Sequence, residues 1–219
     1  RRLRLPRAGV LLEDPLRVVR AARFEVRLPG FRLHPSALPE LRRAAGRLDG
    51  VSPERRLAEL DEILGAGPGP AARALARLEE WGALGPLLPG IPVAARRRGV
   101  ALLRAAAGGP PPALLRVLLL APAGPAPALA ALEELRASRN DRRLAQALLS
   151  LPPPGGNPSR RDAVLLLRRP APFSREATAF VSASAGPRGR ALALEAERLL
   201  ATRGALKRIV RPRRPLAAE

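Results

Sequence analysis

"LLEDPLRVVRAARFEVRL", Leu11 to Leu28, sets an acidic pair, a proline and four arginines into a span with helical period. Leu16, Val19, Arg20, Arg23 and Phe24 recur at spacings of three and four, which predicts one amphipathic helix rather than a strand. Asp14 before Pro15 suits a helix start, because a carboxylate can cap and proline in the first turn gives up no needed donor. Arg17, three residues on, would share a face with Asp14 as a surface ion-pair partner worth ~0.3 kcal/mol. The same geometry has a chemical reading. Asp14 beside Arg17 sets an acceptor next to a donor, which matches the Watson–Crick edge common to cytosine and adenine, an amino donor beside a ring-nitrogen acceptor. Uracil and guanine present the reverse order, and a mismatch would leave buried polar groups unpaired.

Working outward, every readable segment again has helical period. "SPERRLAELDEIL" begins with Ser52 as N-cap and Pro53 at the first helical position, and its stripe is Leu57, Leu60, Ile63 and Leu64. "AARALARLEEWGAL" repeats the pattern through Leu75, Leu78 and Trp81 and stops at Gly82. Further helices are predicted over Val93 to Ala107, Pro112 to Leu120, Ala126 to Ala137, Arg142 to Leu151, Arg160 to Leu167, Arg175 to Ala183 and Arg190 to Arg203. No segment alternates convincingly as a strand. Proline and glycine clusters, from "GAGPGP" at Gly65 to "AGPRG" at Ala185, punctuate the helices, yet the segments between them are too unlike one another for a repeat solenoid.

Composition agrees with an all-α fold. Of the 219 residues 47% are hydrophobic but only 2% aromatic, so the core must be Leu, Val and Ala, which favours helix packing over sheets. The net charge of +20 points to a polyanionic partner. Of the 39 basic residues only Lys207 is lysine, a bias that also fits a GC-rich coding sequence. The absence of cysteine excludes disulfides and thiolate chemistry, and a single histidine, His34, excludes His-rich metal clusters. No apolar run approaches the ~18 residues of a membrane span, so no membrane is expected and a cytoplasmic location is the simplest reading. The chain opens on Arg1 rather than methionine, which leads to the expectation that it is the later part of something longer.

Four stretches together carry a resemblance. "EDPLRVVRAARFEVRL" resembles the EDxxR motif and the RAxRF run after it in class II tRNA nucleotidyltransferases, the CCA-adding enzymes, and in the related bacterial poly(A) polymerases. "GFRLHPSAL" from Gly30, "VSPERRLAELDEIL" from Val51 and "ALARLEEWGALGPLLPGI" from Ala74 continue the resemblance in order over roughly residues 10 to 91. It implies an elongated helical arm with a neck over 1–66, a body over 67–158 and a tail over 159–219. It further implies that Asp14 and Arg17 pair with the base of CTP or ATP, that Glu13 holds that pair, and that Arg20 and Arg23 lie near the nucleotide. Ser52, Glu54, Arg55 and Glu59 would brace the site. Phe24 is expected in the core and His34 in a turn. Lys207, Arg208 and Arg211, in a terminal stretch without acids, read either as a solvated tail or as RNA contacts.

The family's catalysis belongs to a preceding head, where an Asp-x-Asp pair holds Mg²⁺ for phosphoryl transfer. No D-x-D occurs in this sequence, and Arg160-Arg161-Asp162 lies downstream of EDPLR where the family's RRD precedes it. No metal or cofactor is therefore expected on this chain, which should not polymerise alone. Its expected partners are tRNA, CTP or ATP, and a catalytic head supplied in cis or as a separate chain. A non-catalytic helical RNA-binding module is the alternative, and a purely structural helical protein a third reading.

Overall fold

The computed structural model describes residues 2–5, 7–28, 30–106, 109–155 and 158–201. Strand β1 (Arg2–Leu3) is followed by helices α1 (Val10–Glu13) and α2 (Leu16–Arg27), then β2 (Arg32–Leu33). A 3-10 turn at Pro35–Ala37 leads into α3 (Leu38–Ala45), and a second at Leu48–Gly50 leads into α4 (Pro53–Leu64). Next come α5 (Pro68–Glu80), α6 (Leu84–Leu87), α7 (Val93–Ala105), α8 (Pro112–Leu120), α9 (Pro125–Glu134) and α10 (Arg139–Leu149). The series closes with α11 (Arg160–Arg168), α12 (Ser174–Ser184) and α13 (Gly186–Ala201). The fold is all-α, with one addition. The two-residue strands β1 and β2 pair in parallel, Arg2 opposite Arg32, a ladder too short for any alternation to show in sequence.

The stretch Leu11 to Leu28 is two helices, not one. Asp14 is extended, with φ −138° and ψ 97°, and closes α1 instead of opening α2. Pro15 causes this: its ring disfavours the helical region for the residue before it. Asp14 therefore makes no capping bond to α2, although its carbonyl accepts from Arg17 N at 3.0 Å. The N-terminus of α1 is served from far away, Leu11 N donating to buried Glu40 Oε1 at 2.9 Å.

Packing divides the chain into residues 1–142 and residues 143–219. In the first unit α2 lies against α4 and α5, α7 joins α5 to α8, and the core is the leucine and alanine interior that composition demanded. Trp81 is buried at the end of α5. On α4 the buried stripe differs from expectation: Arg56 is inside and Leu57 half-buried. Arg56 is tolerated there because its guanidinium donates to Pro86 O, a free carbonyl of the short helix α6. Helix α8 is buried from Leu114 to Leu120, as a helix apolar at all but one position must be, and carries Arg116 inward with it. In the second unit α11, α12 and α13 pack together. Asp162 there completes a capping box with Ser159, whose bonds hold the Asp162 carboxyl below its usual range. The RRD of this helix is thus a local helix start.

Arg116 has a 4% exposed side chain, and its Nη2 sits 3.5 Å from both Asp61 and Asp141. Burial pushes the Asp61 carboxyl up, Arg116 opposes that, and Asp141 adds to it. A carboxyl raised in the folded state binds more protons folded than unfolded, so its cost grows as pH rises through that interval. Asp61→Asn is expected to gain stability relative to the parent as pH rises above the ordinary carboxylate range, from about pH 4 upward. Thermal unfolding across that range checks this; a difference independent of pH would contradict it.

Candidate functional site

The end of α1 and the start of α4 face one another across an open groove of about 540 Å³, lined by Glu13, Asp14, Arg47, Val51, Ser52 and Arg55. Two of the expected motifs, "EDPLR" and "SPERR", therefore meet in space. Asp14 Oδ1 accepts from Arg55 Nη2 at 3.3 Å, and Oδ2 lies 3.6 Å from Arg20 Nη1. Arg20 Nε donates to Glu59 at 2.6 Å, and Arg23 lies 3.5 Å from Glu59 while donating to Glu62 at 2.6 Å. Acid and base alternate along this line and tie α2 to α4. The Glu59 hydrogen bond is the main reason the Arg20 guanidinium holds its proton more firmly than usual.

Arg17 takes another direction. Its Nη1 donates to Val10 O at 2.7 Å and lies 3.6 Å from Glu13 Oε2. Glu13 is in turn held by Arg7 at 2.6 Å. Asp14 and Arg17 thus have different partners and do not form the ion pair that their spacing suggested. The spacing rule requires an unbroken helix, and the turn at Asp14–Pro15 breaks it.

Of the bracing residues, Ser52 occupies the N-cap position of α4 but its side chain makes no capping bond. Glu54 pairs with Arg136 at 2.6 Å. Its own backbone N–H, and then Arg136, hold the Glu54 carboxyl below the usual range. Arg55 and Glu59 touch the expected nucleotide-facing residues themselves. Lys207, Arg208 and Arg211 lie outside the described residues.

Phe24 is 46% exposed and not in the core. The buried face of α2 is Leu16, Val18, Val19, Ala22 and Glu25, and at 100° per residue Phe24 falls opposite it, together with Arg17 and Arg20. These three border a second, more apolar pocket of about 570 Å³ reaching to Leu5, Leu11 and Leu33. His34 caps the 3-10 turn before α3, accepting from Ser36 N.

Sequence reasoning missed Arg47, Glu25 and Glu40. Nothing local marks the first, and the buried acids sit on amphipathic helices where a glutamate reads as solvated. Among the described residues no group of three or more His, Cys, Asp or Glu is placed to hold a metal ion. These residues do not fit a Mg²⁺ centre. No described helix is long and apolar enough to cross a membrane.

Comparison with known proteins bears on the same region. Residues 30–94 match the family described as "Probable RNA and SrmB- binding site of polymerase A". The "Multifunctional CCA protein" of Methylococcus capsulatus is 46% identical over 88 residues, 38% of this chain and 20% of that protein. The "CCA-adding enzyme" of Coxiella burnetii is 36% identical over 86 residues, again 38% of this chain and 22% of the relative. The "Multifunctional CCA protein" of Xanthomonas campestris pv. campestris is 44% identical over 82 residues, 36% of this chain and 20% of the relative. The chain thus spans about a fifth of the length of these relatives. Over these stretches the chain is similar to that RNA-binding family and to these CCA-adding proteins.

Proposed function

We propose that this chain is the RNA-binding and nucleotide-selecting part of a tRNA nucleotidyltransferase that adds C, A or both to tRNA 3′ ends in the cytoplasm. The observation that supports it most is the pairing of Asp14 with Arg55 in the groove where two motifs converge, with Arg20 approaching Asp14 from α2. Residues 1–66 act as the neck that selects the nucleotide, 67–158 as the body and 159–219 as the tail. Glu13, Asp14, Arg17, Arg20 and Arg23 serve the nucleotide. Arg55 holds one oxygen of Asp14, which leaves Oδ2 to accept the amino group of cytosine or adenine. Arg17 donates to the ring nitrogen after releasing Val10 O, an exchange of one hydrogen bond for another. Ser52, Glu54 and Glu59 brace α4 beneath them. tRNA is held through phosphate and shape. A catalytic head, in cis or as a second chain, would supply Mg²⁺ and the phosphoryl-transfer chemistry on CTP or ATP, and the chain alone does not polymerise.

The test supplies a matching head and measures incorporation of each nucleotide into a tRNA lacking its 3′ end. Asp14→Ala and Arg17→Ala are each expected to remove most of the discrimination against UTP and GTP, on the order of 10⁴-fold for a hydrogen-bonding site, with tRNA affinity little changed. Selectivity retained in both variants would sink the template. A second reading, a non-catalytic RNA-binding module, is favoured by the engagement of both Asp14 and Arg17 with partners inside the chain. Tight tRNA binding with no response to any head would select it.

A further inference from the structure

At the far end of α2 from Asp14, a pocket of about 420 Å³ opens between α2, residues 30–32, α5 and α7. Its base is Glu25, with a 0% exposed side chain. Glu25 Oε1 accepts from Leu33 N at 3.0 Å, and Oε2 accepts from Arg77 Nε at 2.8 Å. Arg77 is raised above its ordinary range chiefly by that bond, so its charge is already matched inside the fold. Around this neutral base stand Arg32 from β2, Arg73 from α5 and Arg104 from the last turn of α7, all exposed. Among the described residues none of these three has a carboxylate within ion-pairing distance or an acceptor for its guanidinium.

Other exposed arginines of this unit, Arg42 and Arg43 among them, also lack a carboxylate partner among the described residues, and what sets Arg32, Arg73 and Arg104 apart is their convergence on one pocket. In the same unit Arg20, Arg23, Arg55 and Arg96 all find carboxylates. Three unmatched guanidiniums from three separate elements converge on one concave space, and mutual repulsion makes that arrangement costly without an anion. The position of Arg104 at a helix C-terminus relieves only part of that cost. Planar guanidinium forks suit phosphate oxygens bidentately, and half-buried Phe31 lines the pocket with an aromatic wall. Leu16 to Glu25 spans roughly 14 Å along the helix axis, so this pocket and the Asp14 groove share no residue and are distinct.

We propose that Arg32, Arg73 and Arg104 form a phosphate site for the backbone of a bound RNA, a second anchor that positions the strand without reading its sequence. The inference rests on the reading that the chain binds RNA. The RNA backbone is preferred to a free nucleotide because the pocket is open and its cations are spread over three elements, which suits successive phosphates.

The experiment measures the affinity of the full chain for a tRNA transcript as a function of KCl concentration. Arg73→Ala/Arg104→Ala is expected to reduce the steepness of the log K against log salt plot by about 1.5, from ~0.7–0.9 per phosphate contact. Arg73→Lys/Arg104→Lys should retain the parental slope. The double alanine variant should keep or raise the parental unfolding temperature, since both side chains are exposed and unpaired and their mutual repulsion is relieved. An unchanged slope overturns the site, as does an equal reduction from Arg42→Ala/Arg43→Ala on α3, which would show diffuse charge alone. Binding of inorganic pyrophosphate that is lost in the alanine variant while the tRNA slope is unchanged would reassign the pocket to free phosphates. A parent chain that does not bind tRNA at all would instead remove the RNA-binding reading beneath it.

Discussion

Glu25→Ala is expected to lower the unfolding free energy of the unit formed by residues 1–142 by about 3 kcal/mol. Breaking a buried ion pair from one side costs roughly 3–5 kcal/mol, because the remaining charge keeps its desolvation and loses its partner. Arg77 keeps Glu80 and some access to water, which draws the figure toward the lower end. Leu33 N, in β2, loses its acceptor as well. Glu25→Gln preserves size and an acceptor for Leu33 N, and should cost less than the alanine change. Urea unfolding followed by the fluorescence of Trp81 is the measurement. Trp81 is the sole tryptophan, is buried, and has the Arg77 guanidinium 5.2 Å from its ring centre, so it reports this unit directly. A loss below about 0.5 kcal/mol would mean that the pair contributes no more than an ordinary surface contact.

Gly99→Ala should destabilise the same unit by about 3 kcal/mol, against the sign that helix propensity predicts. Alanine is the better helix former by roughly 1 kcal/mol. However, a Cβ at position 99 would lie 2.0 Å from Leu119 O and 2.8 Å from Leu119 C. Those atoms are backbone of α8 and cannot swing aside, so α7 and α8 would have to separate. Overpacking of this kind costs roughly 1–3 kcal/mol and sometimes more. Gly85→Ala is the control: its Cβ would meet only the tip of Arg96 at 3.6 Å, and a change within about 0.5 kcal/mol is expected. Equal effects at the two glycines would contradict the close-approach account.

The helices were legible because their signals are local. A 3.6-residue period, a proline in a first turn and a glycine cluster after a last one act within a few residues, and the predicted spans from Val93 onward differ from the observed ones by a few residues at their ends. The groove was legible in part: the motifs that line it could be named, and Asp14, Ser52 and Arg55 do line it. Which arginine serves which acid was not legible. Local spacing joined Asp14 to Arg17, whereas the fold joins Asp14 to Arg55, 41 residues away, and Arg20 to Glu59, 39 residues away.

Glycine 99 shows the same division. In the sequence it is a weak point in a helical run; in the fold it is where two helices touch. Phe24 is a third instance, an aromatic that its spacing placed on the apolar face and the packing of α2 turned outward. By itself, the sequence determined the helical class, the punctuation between helices, the leucine and alanine core and two of the motifs that line the groove. Only the tertiary structure decided the charge partners, the break at Pro15, the burial of Glu25 and the convergence of Arg32, Arg73 and Arg104. The physical reason is range. Backbone preference and hydrophobic period are properties of neighbours along the chain, whereas an ion pair, a steric contact or a cluster of like charges depends on which helix faces pack together.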